Sequence, residues 1–436
     1  MATRRALPTL LCVFLLVLAG CGAPFGASTT PDSTPAPTNG GPGATPTASP
    51  TAVPTDGEAS PGDMDPSPTA TDPSSTPTEG GADASDGVGE SERVTVSGGD
   101  LPVNATVVFR RVERLLDIDK EPPEVVVTDE GPYDFGSFEP SLNQRALGYE
   151  SGRGSESDCV GTFYPASGSV DRVTIASGNL SAETVELILV HEFVHSFQWE
   201  IPEFEQAVLD DRIVGGIEEG VPVYVTDRYA QRYDTRWRGR TPLETRECLY
   251  DHASDVFRPS AAESLFAARY VEDRVDSPAN VSAVYRPPPR TAEQVLHGLA
   301  PDAEPPRDLD VTVDGADAPE VQRAGEIRLR AWLENGLSAD RAAAAAAGWG
   351  TDRLVRFGIG ADPRVAWAIR MDSATEADEL AAAVADLETA LERRDATSLR
   401  STRIGEETVV VFAGPEPFVA NATASGTAGD VTVAAP

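Results

Sequence analysis

Apolar residues follow two rhythms along this chain, and the stretch where neither holds divides it. From residue 22 to about residue 90 Thr, Pro, Ser, Gly, Ala and Asp dominate, and no aromatic side chain follows Phe25. Such a segment buries too little apolar surface to offset its ordering entropy. Its Pro-interleaved Ser and Thr have the composition of an extended, O-glycosylated stalk. Beyond it, helical spacing predicts a helix over 107–116 that stops before Pro122 and Pro123. The run Val125, Val126, Val127 predicts a buried strand over 124–128. After a glycine-rich loop, segments 159–164 and 170–176 flank Pro165, Ala166, Ser167 and Gly168, which predicts a β-hairpin.

Ser181 is a good N-cap, Glu183 and Glu186 suit the positive end of the helix dipole, and apolar positions continue the period. A helix is therefore expected over 182–199, ended by Pro202. A second helix is expected over 217–233 after the Gly215-Gly216 break. The least apolar patch of the folded part, 300–319, reads as a Pro- and Asp-rich loop. Beyond Asn335 the pattern predicts an alanine-rich helix, strands over 352–357 and 364–371, a helix over 374–394, a final strand over 407–412 and a short disordered tail. The fold class is α+β, with sheet and helices in one closing module.

The N-terminus sets the compartment. Arg4 and Arg5 precede an apolar run over 6–19 that ends in Leu18, Ala19, Gly20 and Cys21, an export signal with a lipobox. At about 14 residues the run is shorter than the roughly 20 needed to span a bilayer as a helix. A removed signal peptide, residues 1–20, with lipidation at Cys21, is the preferred reading over an uncleaved anchor. The arginine pair suits twin-arginine export and the general secretory route alike. The expected organisation is a stalk over 21–90, a main domain over 91–340 and a C-terminal α+β module over 341–436. The protein then sits on the outer face of the membrane, held by its lipid.

Charge narrows this picture. Net charge is −35 over 436 residues, and Lys120 is the only lysine. This acidic excess, carried by a chain with 40% hydrophobic residues, points to a halophile. It excludes the basic stripe that nucleic-acid binding requires. Self-repulsion grows as screening falls, so dialysis into dilute buffer is expected to abolish the circular dichroism of the fold; an unchanged spectrum would remove the halophilic reading. Cys12 leaves with the signal and Cys21 takes the lipid, so Cys159 and Cys248 remain as either a disulfide or two buried thiols. Asn104, Asn179, Asn280 and Asn421 begin Asn-X-Ser/Thr acceptors for N-glycosylation.

The strongest chemical signal is His191-Glu192-Phe193-Val194-His195. Residues four apart share a helix face, so both imidazoles can reach one tetrahedral zinc ion, while Glu192, about 100° round the helix, can serve as general base. A catalytic zinc takes a third protein ligand and keeps one position open. The Gly and His that would follow closely in a metzincin are absent. Asp210 and Asp211 are candidates; Glu218 and Glu219, on the second helix, fit better.

Ile217-Glu218-Glu219-Gly220-Val221-Pro222-Val223-Tyr224 resembles the Glu-Gly signature of gluzincin metallopeptidases, in which the glutamate before glycine binds zinc. The resemblance assigns Glu219, with 23 residues between it and His195. It implies a zincin-like domain in which an active-site helix and a Glu-bearing helix pack beside a mixed sheet, below a substrate-binding edge strand from the hairpin 160–176. Thr162-Phe163-Tyr164-Pro165, the stretch Pro287 to His297 and Gly348-Trp349-Gly350 extend the likeness to haloarchaeal cell-surface lipoproteins of gluzincin type. One departure stands out: Val223 occupies the place, four residues after the glutamate ligand, where a thermolysin-like site has an aspartate. Asp227 and Glu218 are candidates for the carboxylate that orients a histidine. Tyr224, Tyr229, His252 and His297 are candidate oxyanion or substrate contacts, and Trp349 reads as core.

The expected activity is hydrolysis of a protein or peptide at the cell surface by zinc-activated water, with Glu192 as base. The alternative is a catalytically silent surface or cell-wall binding protein that retains the fold and a zinc.

Overall fold

A computed structural model describes residues 93–132, 138–151, 154–209, 214–315, 319–357, 362–394 and 397–435. The expected signal peptide, Cys21 and stalk lie outside the described residues, as do Asp210 and Asp211. The fold is mixed α+β, as expected.

The chain enters through β1 (Val96–Ser97), α1 (Ala105–Leu116), β2 (Glu124–Thr128), α2 (Leu142–Ala146), α3 (Glu156–Val160), β3 (Ala166–Gly168) and β4 (Arg172–Ala176). These strands form a sheet in the order β1-β2-β4-β3, parallel except for the antiparallel edge strand β3. The hairpin is present, but with a different first arm. Residues 156–160 form helix α3, and the turn falls at 169–171. Gly161, at φ +73°, ends α3 in a conformation that favours glycine.

Next come α4 (Ala182–Gln198), α5 (Pro202–Leu209), α6 (Ile217–Tyr233), α7 (Pro242–His252), α8 (Arg258–Arg274), a 3-10 helix (Pro278–Tyr285) and α9 (Ala292–Leu296). Helix α4 is buried on nearly every side, as befits a helix that is hydrophobic all round. It packs between the sheet, α1 and α6 around one apolar core that includes Phe109, Phe193, Phe197 and Ile175. Pro202 follows the end of α4 and opens α5, where its missing N–H is no loss.

The remainder comprises β5 (Asp310–Asp314), β6 (Glu320–Gln322), α10 (Glu326–Leu333), α11 (Ala339–Ala346), β7 (Trp349–Phe357), β8 (Arg364–Met371), α12 (Ala374–Glu392), β9 (Ser398–Ile404), β10 (Thr408–Gly414), α13 (Glu416–Asn421), β11 (Thr423–Thr427) and β12 (Asp430–Ala434). An antiparallel sheet, β6-β7-β8-β10-β9, carries helices on one face. A smaller sheet, β11-β12-β5, covers the other. Alternation along β10 shows the layering, with Val409 and Val411 facing α12, and Val410 and Phe412 facing Val431 and Val433 of β12.

Three expectations for the C-terminal half differ from this arrangement. A cut at 340/341 would fall inside α11, whereas β5, β6 and α10 already belong to the C-terminal sheets and their core. The stretch 300–319 is not only loop, because β5 pairs in parallel with β12. The tail expected to be disordered instead forms β11 and β12. Both β5 and β12 read Asp-Val-Thr-Val, a period-2 pattern whose apolar residues meet in register, Val311 with Val431 and Val313 with Val433. Trp349 is fully buried, as expected, and its indole N–H donates to Asp352.

Candidate metal centre

Ser181 caps α4 by accepting from the Thr184 amide, and the helix carries His191 and His195 on one face. Gly216, whose φ of +74° suits glycine, is the N-cap of helix α6, which places Glu218 and Glu219 in its first turn. The next residue must also be small. A Cβ on Gly220 would lie 2.5–2.7 Å from backbone and side-chain atoms of Ala267 on α8. The glycine thus lets α8 press α6, and with it Glu219, against α4.

His191, His195 and Glu219 converge. His191 Nε2 lies 3.3 Å from Glu219 Oε2, and His195 Nε2 lies 3.5 Å from Glu219 Oε1. Ligands about 2.0–2.1 Å from a tetrahedral zinc stand about 3.3–3.4 Å from one another. The two nitrogen–oxygen distances lie close to that value, and the ligand atoms of all three residues lie within 4.8 Å of one another. Burial lowers the His191 imidazole to about 4, against the pull of Glu219. At neutral pH it is the uncharged form that a metal requires. Burial works to raise the Glu219 carboxyl, but the two histidines and Arg246 outweigh it and hold it below the usual range. His191 Nε2 is buried and makes no well-formed hydrogen bond among the described residues beyond this approach to Glu219.

The orienting group for His195 comes from its own helix. His195 Nδ1 lies 2.9 Å from Gln198 Oε1. An amide oxygen only accepts, so Nδ1 carries the proton and Nε2 is left to face Glu219. Gln198 is fixed in turn, its Nε2 donating to the Glu218 carbonyl and to the Tyr285 hydroxyl oxygen. Asp227 does not take this role. It caps α7 by accepting from the Leu243 amide and also accepts from Gln231. Glu218 contributes through its backbone; burial pushes its carboxyl up to about 7, aided by Glu219 and Glu263. Gln198 was legible in principle, since a polar residue three positions after a helical histidine shares its face.

Glu192 is 1% exposed, and its Oε1 has no hydrogen-bond partner among the described residues. Burial first, and then the charge of Glu219, raise its carboxyl well above the ordinary range, with Arg246 opposing. Arg246, on α7, is the residue that sequence reasoning missed. Its guanidinium is buried and lowered to about 10 by that burial, although the fields of Glu219 and Glu192 favour its charge. With His191, Val223, Thr226 and Thr245 it lines a void of about 20 Å³, room for roughly one water molecule. Nothing in Thr241-Pro242-Leu243-Glu244-Thr245-Arg246 marks that arginine as interior.

Edge strand β3 runs against this site. A Cβ on Gly168 would fall 2.4 Å from the Glu192 carbonyl oxygen and 3.1 Å from the His195 Cβ. Gly168→Val is expected to push β3 away from α4 and cost about 1–3 kcal/mol through overpacking. Urea unfolding would measure that cost, and an unchanged midpoint would show that strand and helix are not in tight contact.

The other sequence candidates are committed elsewhere. Tyr224 donates to the Val275 carbonyl, Tyr229 to Glu186, and His252 Nδ1 lies 2.8 Å from the Cys248 carbonyl. His297 caps the end of α9, with Nε2 2.9 Å from Glu326. None of them is brought to the metal ligands by these contacts. Cys159 and Cys248 form a disulfide that joins α3 to α7. Asn104, Asn179, Asn280 and Asn421 are all exposed. No helix among the described residues is long and apolar enough to cross a membrane.

Residues 312–435 match a family described as a domain of unknown function, DUF8575. That match covers β6 to β12, most of β5 and none of the metal-centre residues. No curated protein and no solved structure matches the chain.

Proposed function

We propose that this protein is a gluzincin-like zinc metallopeptidase, exported and held at the outer face of the membrane through a lipid on Cys21. One observation carries the reading: His191, His195 and Glu219 bring ligand atoms within 4.8 Å of one another next to Glu192, a buried glutamate whose Oε1 has no hydrogen-bond partner among the described residues. His191, His195 and Glu219 would hold the ion. When bound, zinc supplies Lewis acidity, polarising a carbonyl and bringing the acidity of water near neutral.

The chain's own groups do the rest. Glu192 accepts a proton from the attacking water as its oxygen bonds to the peptide carbonyl carbon, then returns that proton to the amine nitrogen as the C–N bond breaks. Gln198 keeps His195 in the ligating tautomer. Arg246 offsets the mutual repulsion of Glu192 and Glu219, so that two carboxylates can share one buried site. The edge strand β3, beside Glu192, is the natural seat for an extended peptide.

The test is metal analysis of the purified protein, paired with digestion of casein and peptide libraries at high salt. Zinc near one equivalent and hydrolysis that a chelator abolishes and zinc restores are expected. Stoichiometric zinc with no hydrolysis of any substrate would instead make the protein a silent binding module.

A further inference from the structure

A second cluster of charged groups lies between α9 and the C-terminal sheets. There the loop before β5, the end of β8 and the start of α9 line an open cleft of about 480 Å³. Most of its charges are matched. Arg307 donates to Asp372 and Glu407, Arg370 to Glu407 and the Asp308 carbonyl, and His297 holds Glu326. Three lining carboxylates remain over: that of exposed Asp308, whose backbone carbonyl alone is bonded, and those of Glu293 and Glu304. Glu293 is only 3% exposed, yet its side chain lines the cleft and makes no hydrogen bond or ion pair among the described residues. Glu304 stands on the same wall, exposed and likewise unpartnered, on a left-handed backbone at φ +45°. Pro305 and Pro306 complete that wall with apolar rings.

A buried carboxylate without a partner is costly. Burial pushes Glu293 up to about 8, helped by Glu326, Asp372, Glu304 and Glu376. A positive charge in the cleft would offset that cost and draw the Glu293 carboxyl back towards its ordinary range. A bare metal ion does not fit, because these carboxylates are not among the groups of the described residues whose ligand atoms converge to metal-binding spacing. The cleft is also far larger than an ion requires. The arginines that line the cleft, Arg307 and Arg370, are already paired with carboxylates, which argues against an anion.

We propose that this cleft binds an organic cation, an ammonium or guanidinium group on an aliphatic stem, with Glu293 and Glu304 as the paired acceptors and Pro305 and Pro306 against the stem. Lysine or arginine side chains of a peptide and free polyamines share this chemistry. The site is separate from the metal centre and does not depend on peptidase activity.

Calorimetric titration of the full chain tests this, at the lowest KCl concentration that keeps it folded. The probes are spermidine, blocked tripeptides centred on Lys or Arg, calcium chloride and sodium sulfate. One-to-one binding of an amine or guanidinium probe is expected, and the tighter of the two kinds identifies the source. Glu293→Gln and Glu304→Gln should each weaken it by about tenfold or more, in line with loss of a charge-assisted hydrogen bond. Glu304 is exposed, so its variant remains informative if Glu293→Gln does not fold. Binding of calcium or sulfate alone, no binding at all, or amine binding unchanged in both variants would overturn the proposal.

Discussion

Glu192→Gln is expected to leave the zinc content of the protein unchanged and to cut hydrolysis by roughly 10²–10⁴-fold, the usual contribution of a general base. The side chains are nearly isosteric and Glu192 is buried beside, not within, the trio His191, His195 and Glu219. The substitution should therefore remove proton transfer and spare the ligands. His191→Ala is expected to lose both metal and activity. Thermal unfolding separates the two variants, because a bound ligand stabilises only the state that binds it. A chelator should lower the melting temperature of the wild type and of Glu192→Gln alike, and leave that of His191→Ala unchanged. Full hydrolysis by the Glu192→Gln protein would remove the glutamate from the mechanism and, with it, the reading of the site as a peptidase centre.

Replacing both Cys159 and Cys248 by Ser is expected to destabilise the fold by about 4–5 kcal/mol, the loop-entropy value for a closure of this length. The two cysteines are 89 residues apart in sequence. Guanidinium or urea unfolding of oxidised and variant protein measures the difference, and equal midpoints would show that the bond contributes nothing. A second effect is expected well below the melting transition. Arg246 lies two residues before Cys248 on α7, and the disulfide ties that helix to α3. Loosening α7 should therefore reduce turnover while zinc remains bound, because the ligands sit on α4 and α6. If activity per folded molecule is unchanged, Arg246 is held by its own burial and not by the cross-link.

The likeness to gluzincins rested on Glu219-Gly220, and the packing gives that dipeptide a physical reason. The glutamate lies in the first turn of α6, where the helix dipole favours negative charge. The glycine is what lets α8 approach to within contact of the α6 backbone. The C-terminal family match concerns other residues, 312–435, and lends the metal centre no support in either direction.

Local signals were sufficient where a segment's neighbours in space are also its neighbours in sequence. The N-cap at Ser181, the four-residue spacing of His191 and His195, the span of α6 and the Val run of β2 could all be read from the chain, because helix period and strand burial leave a one-dimensional trace. What the sequence left open was whatever depends on residues far apart in it. The first arm of the hairpin went to α3. The strands β5 and β12 are separated by more than a hundred residues and stabilise each other only by pairing, so neither the loop nor the tail betrayed them. The sequence by itself determined two histidines four residues apart on one helix with a glutamate between them and, through resemblance, Glu219 as the third candidate ligand. Only the tertiary structure decided that Gln198 sets the tautomer of His195, that Arg246 is a buried cation beside the site, and that Glu293 has no partner among the described residues. Burial and electrostatic environment are made by long-range packing, and a residue's identity does not record which other elements will close over it.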